Sequence, residues 1–171
     1  MNRSVKRLKE LDIILNRENV QKITEAIEVL RYGQPLEGAI SLLVSLYNRS
    51  DDSSIKSLIT SFMNDIKDQS ACSEVMAEIR KEASTDTLRM LISSCWQSGL
   101  NYAEYSADFI EIFLLTDDYL TAFECFTVLE PLVQDIPKSR RDEIIQVIRA
   151  KTPVLSNDLR ALRLELISVL E

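Results

Sequence analysis

The sequence predicts an all-α protein built from paired helices. Apolar residues recur at i, i+3, i+4 and i+7 along most of the chain, and no segment alternates with a strand's period of two. Only three glycines and four prolines interrupt 171 residues, which favours helices joined by short turns. Residues able to cap a helix also recur every 32 to 39 positions, each followed by the same apolar stripe. With 46% apolar and 27% charged residues, the chain can bury roughly two-thirds of its unfolded surface without a disulfide or metal staple. One helical-repeat domain is expected over 1–171, with an N-terminal helix pair in 1–34 and about four helix-pair repeats in 35–171.

The periodicity places ten helices at about 3–16, 18–31, 35–48, 52–67, 71–82, 86–97, 103–115, 118–133, 138–150 and 156–170. The first carries Val5, Leu8, Leu11 and Leu15 on one face, amid Arg3, Lys6, Arg7 and Lys9. Glu10 and Asp12 dilute that charge, and without a bulky aromatic anchor the helix reads as the first layer of a fold, not a membrane-surface segment. Gly33, as a left-handed stop, and Pro35, at a first helical position, separate the second and third helices. Asp51, Asp52 and Ser53 offer oxygens to cap the fourth, Gly99 and Asn101 close the sixth, and Asp117 caps the eighth. Pro131 and Pro137 bracket the end of an acidic block, and Pro153 separates the last pair of helices.

Aligning Asp52, Thr85, Asp117 and Ser156 as caps brings Ile55, Leu88, Leu120 and Leu159 into register three positions later. Leu58, Leu91, Phe123 and Leu162 follow, then Met63, Trp96, Val128 and Ile167, all on one stripe of a 3.6-residue period. The residues Lys56, Arg89, Thr121 and Arg160 come directly after the first apolar position. This order of cap, apolar residue and base resembles the second helix of HEAT repeats, over residues 35 to 171. The resemblance implies paired helices stacked as a right-handed α-α superhelix, with Asp52 and Lys56, and Thr85 or Asp86 with Arg89, as scaffold residues linking neighbouring repeats. The chain departs from that pattern in lacking a proline within the first helices and in carrying Thr121 where a base is expected.

Charge is distributed by region. From Met90 to Pro137 there is no lysine or arginine, but eight acids: Glu104, Asp108, Glu111, Asp117, Asp118, Glu124, Glu130 and Asp135. The net charges of 1–31, 32–89, 90–137 and 138–171 are +2, −3, −8 and +2, for −7 overall. Such a segment repels phosphates and anionic lipid heads and attracts basic protein surfaces, so neither nucleic acid nor membrane is an expected partner.

The chain has no histidine, which removes imidazole-assisted nucleophiles and two-histidine metal sites. Cys72, Cys95 and Cys125 are odd in number and widely spaced, which points to buried free thiols in a reducing compartment. No Gly-rich phosphate cradle or dense calcium loop is present, so no cofactor and no catalytic residue are expected. The N-terminus lacks an apolar export segment, and the expected location is cytoplasmic.

Glu104, Asp108 and Glu111 share one helical face at i, i+4 and i+7, with no lysine at i+4 to relieve their repulsion. They form, with Tyr102 and Asp118, the expected partner-binding surface. Tyr102, Tyr105 and Tyr119 flank the same segment; Tyr102, in a turn, is expected to be exposed, and Trp96 to be core. The reading is a non-enzymatic interaction module presenting acids to a basic protein. Its alternatives are an acidic inhibitor or immunity-type protein blocking a basic enzyme, and an enzyme using carboxylates alone.

Overall fold

A computed structural model describes residues 3–17, 19–81, 84–150 and 156–171. Among them are ten α-helices and no strand: α1 Arg3–Arg17, α2 Val20–Tyr32, α3 Ala39–Arg49, α4 Ser53–Asn64, α5 Ala71–Ile79, α6 Thr85–Gln97, α7 Ser106–Leu115, α8 Tyr119–Leu132, α9 Lys138–Ala150 and α10 Asn157–Leu170. Short 3-10 turns, Ala103–Tyr105 and Val133–Asp135, precede α7 and follow α8. The expected break at Pro153 lies outside the described residues.

The chain forms two compact units, Met1–Leu100 and Asn101–Glu171. In the first, sequence neighbours pair as α1 with α2, α3 with α4 and α5 with α6. The odd-numbered helices α1, α3 and α5 pack in succession, as do the even-numbered α2, α4 and α6, giving two layers with Ile27, Leu43, Ile59, Met76 and Leu91 fully buried between them. In the second unit α8 is central: α7 and α10 pack on it, α9 pairs with α10, and Phe109, Phe113, Leu129 and Leu166 fill the core. Burying each phenylalanine contributes roughly 1.5–3 kcal/mol relative to exposure.

The third helix begins four residues later than its expected start at 35. Gly38 precedes it with φ 88°, a left-handed conformation that ends one turn and starts the next, and a Cβ there would meet Leu8 Cδ2 at 2.9 Å. Gly33 is extended, not left-handed; it is small because a Cβ would lie 2.6 Å from the Val29 carbonyl oxygen. Gly99, with φ 71°, does take the left-handed role expected of it beyond α6.

Two of the four aligned caps are displaced by one residue. Asp52 and Ser156 cap α4 and α10 as expected, their side chains accepting from Ser54 and Ile55 and from Leu159. Ser84, not Thr85, caps α6, its Oγ accepting from the Thr87 N–H at 3.2 Å. Asp118, not Asp117, caps α8, its Oδ2 accepting from the Thr121 N–H at 2.7 Å and the Thr121 hydroxyl at 2.6 Å. In the corrected register every third position after the cap is buried: Ile55, Thr87, Thr121 and Leu159. So is every seventh, Ile59, Leu91, Cys125 and Arg163, and every eleventh, Met63, Cys95, Leu129 and Ile167. These three positions are therefore buried in all four helices, while a base at the fourth position remains only in Lys56 and Arg160.

One residue of slip turns a side chain by about 100° around a helix axis. Trp96, expected in the core, is 44% exposed, and Leu120 and Phe123, expected on the inward stripe, are 49% and 45% exposed.

Bases from neighbouring segments satisfy carbonyls at helix C-termini, where four acceptors lack intrahelical donors. Arg49 Nη2 donates to Leu15 O at the end of α1, at 3.1 Å, and Lys67 Nζ to Ser98 O beyond α6, at 2.9 Å. In the second unit Arg163 Nη2 donates to Leu114 O in α7, at 2.8 Å, and Arg141 Nη1 to Leu170 O in α10, at 3.2 Å. Lys56 bridges from α4 to Asp86 in α6, at 3.5 Å, so it does link successive helix pairs, while Asp52 is occupied as a cap.

Candidate functional site

The acidic stretch enters the second unit at Asn101, whose Oδ1 accepts from the Ala103 N–H at 2.9 Å and starts the 3-10 turn. Tyr102 lies just before that turn, and its ring meets Phe109 edge-on at 6.1 Å and Tyr105 at 6.2 Å. It is 2% exposed, which corrects the expectation that it stands on the surface: its place beside the buried Phe109 on α7 turns its ring inward as part of the core. Tyr102 therefore leaves the candidate surface.

Glu104, in the 3-10 turn and not on α7 as expected, and Glu111, on α7, are exposed, and Asp108 between them is half-buried. Asp118 is half-buried with one oxygen engaged as the α8 cap. Among the described residues no ion pair reaches Glu104, Glu111, Asp117, Glu130 or Asp135.

Of the unit's six described basic residues five have partners, and Arg160 is exposed on α10. Lys138 pairs with Asp142 at 3.0 Å, Arg140 with Glu143 at 2.8 Å and Arg149 with Glu171 at 2.9 Å. Arg141 and Arg163 donate to the helix-terminal carbonyls already described. Lys151 lies outside the described residues.

Beside these acids is an apolar strip hidden by the slipped register. Leu115, the last residue of α7, is 67% exposed, and Tyr119, Leu120 and Phe123 on the first turns of α8 are 41%, 49% and 45% exposed. The rings of Tyr119 and Phe123 stack at 6.2 Å with 27° between their planes. The sequence signal that could have found the strip is the pair Asp117-Asp118, either of which can cap; choosing Asp118 exposes Leu120 and Phe123.

In the first unit a hollow of about 400 Å³ is lined by Leu30, Arg31, Leu36, Ile40, Asp65 and Glu74, among others. Arg31 is engaged with Asp65 and Glu28. Glu74 Oε2 accepts from the Gly38 N–H at 3.0 Å, so this carboxylate of α5 caps the start of α3, where glycine supplies no side-chain oxygen. Burial holds the Glu74 carboxyl above its ordinary range.

The three thiols are buried, and burial, with Glu124 adding to it, pushes Cys125 up to about 12, leaving it protonated at neutral pH. Among the described residues no group of three or more cysteines and carboxylates is arranged to hold a metal ion, and no helix is long and apolar enough to cross a membrane.

No family model, curated protein or solved structure matches this chain.

Proposed function

We propose that this protein is a non-enzymatic interaction module, built of HEAT-like helix pairs, that presents an acidic face to a basic protein in the cytoplasm. The observation that carries this reading is the segregation of charge: eight acids in a base-free segment, with Glu104 and Glu111 exposed and, among the described residues, reached by no ion pair. Clustered carboxylates raise the rate of encounter with a positive partner and discriminate against anionic ones. Nucleic acid and anionic membranes fall in the disfavoured class.

The test is affinity capture from native lysate with the wild-type chain beside a Glu104→Lys, Asp108→Lys, Glu111→Lys triple variant, circular dichroism first showing equal helicity. A basic protein held by the wild type, released by moderate salt and lost by the variant is the expected result. A partner retained equally by both places the interface elsewhere and overturns the reading.

A further inference from the structure

Resting on that reading of the acidic unit, we propose that the strip formed by Leu115, Tyr119, Leu120 and Phe123 is the docking seat for a basic amphipathic helix of a partner protein. An aromatic pair and two aliphatic side chains occur together at the end of α7 and the start of α8, each between 41% and 67% exposed. On α8 Phe123 lies one turn from both Tyr119, at i+4, and Leu120, at i+3, which joins the three exposed side chains into one surface.

The charge around the strip selects the occupant. Glu111 precedes Leu115 by one helical turn, Asp117 stands in the connecting turn, and Glu124 follows Leu120 by one turn. A helix with leucine-like side chains on one face and lysine or arginine along both edges matches this apolar centre and acidic margin at once. The faces of Tyr119 and Phe123 offer their negative quadrupoles to the same cations. The described residues contain no strand, so an incoming segment has no sheet edge to extend and must dock through side chains, as an amphipathic helix does. Stacked aromatic rings could hold nucleobases, but the phosphates joining them would be repelled by this margin.

The experiment uses a fluorescein-labelled peptide of about 18 residues with leucines at i, i+3, i+4 and i+7 and lysines elsewhere. A second peptide has the same composition scrambled to abolish the apolar face. Fluorescence anisotropy is read on the wild-type chain, on a Leu120→Gln, Phe123→Gln variant, and on the Glu104, Asp108, Glu111 lysine variant, all checked for equal helicity and thermal midpoint. The expected result is that the amphipathic peptide binds the wild type about tenfold or more tighter than its scramble and loses that margin in the glutamine variant. Equal binding of both peptides, unaffected by the glutamine substitutions but lost in the lysine variant, overturns the docking seat and leaves the acidic-surface reading standing. Absence of binding by either peptide overturns both. Sedimentation of the chain alone provides the remaining control: a dimer dissociated by Leu120→Gln and Phe123→Gln makes a second copy the occupant and overturns the proposal.

Discussion

The ammonium of Lys56 lies 4.7 Å from the ring centroid of Tyr47, and both groups converge on Asp86, whose Oδ2 is 3.5 Å from Lys56 Nζ and 3.2 Å from the Tyr47 hydroxyl. Three helices, α3, α4 and α6, are thereby joined through one carboxylate. The ion pair is largely solvated and contributes little by itself, but the buried tyrosine supplies a neutral donor to a charged acceptor. Asp86→Ala should lower stability by about 1 kcal/mol, and Lys56→Met by less than about half of that, as read from urea midpoints.

Alkaline pH should weaken the fold through two protons that the native state retains. Burial, reinforced by Asp86, holds the Tyr47 hydroxyl above its ordinary value of 10.0, and burial raises the Cys125 thiol from 9.0 to about 12. A group whose folded pKa is raised contributes stability that is complete below its unfolded value and lost as pH rises through the folded one. Unfolding free energy should therefore decline from about pH 9 upward, and Tyr47→Phe with Cys125→Ala should flatten that decline. An unchanged slope in the double variant would refute the assignment.

Trp96 and Tyr102 should behave oppositely to what their neighbours in sequence suggest. Trp96, the sole tryptophan, should be quenched readily by acrylamide in the native state, and Trp96→Ala should cost less than about 1 kcal/mol. Tyr102→Ala, which removes a ring buried against Phe109, should cost about 3 kcal/mol or more.

These two residues also mark where the sequence was legible and where it was not. Ten helices could be located because apolar spacing is redundant: losing one position still leaves several on the stripe. Cap register lacks that redundancy. Ser84 and Thr85, like Asp117 and Asp118, are adjacent residues of equal chemical competence, and the buried hydroxyls of Thr87 and Thr121 that reveal the true frame look polar in sequence. The clustering of acids was legible because charge is additive along a chain. The burial of Tyr102 depends on which way a short 3-10 turn directs its ring, and the apolar strip on α8 depends on the same register that composition could not settle.

Glu74 should show the opposite consequences of charge and hydrogen bonding at one site. Its burial raises the carboxyl above 4.5, so its favourable contribution is complete below that value and lost as pH rises through the folded pKa. Glu74→Gln, which keeps an acceptor for the Gly38 N–H without a charge, should match or exceed the wild type at neutral pH and remove this part of the acid-side slope. Glu74→Ala leaves the α3 terminus without that acceptor and should cost about 1 kcal/mol in thermal or urea unfolding.

Arg163 occupies an inward position of α10 that hydrophobic residues fill in α4 and α6, and it donates to Leu114 O near the C-terminus of α7. Removing the whole side chain leaves a buried carbonyl short of a donor and a gap beneath the helix. Arg163→Ala should therefore destabilise by roughly 2–4 kcal/mol, whereas Arg163→Met, which keeps the aliphatic stem, should cost about half as much. Equal losses in the two variants would mean that the guanidinium bond, not packing, carries the effect.

The acidic face itself should be slightly destabilising, which separates a binding role from a scaffold role. Glu111 lies three residues from Asp108 and seven from Glu104 with no intervening base, and like charges at helical spacing repel by a few tenths of a kcal/mol. Glu111→Lys should raise the thermal midpoint at low ionic strength, and the gain should shrink toward zero near about 1 M salt, where the screening length is about 3 Å. The same variant should weaken capture of a basic partner. Stability gained as binding is lost is the signature of residues kept for recognition at the expense of the fold. If Glu111→Lys instead destabilises the chain at every salt concentration, Glu111 belongs to the packing of α7, and the working surface must be sought away from this face.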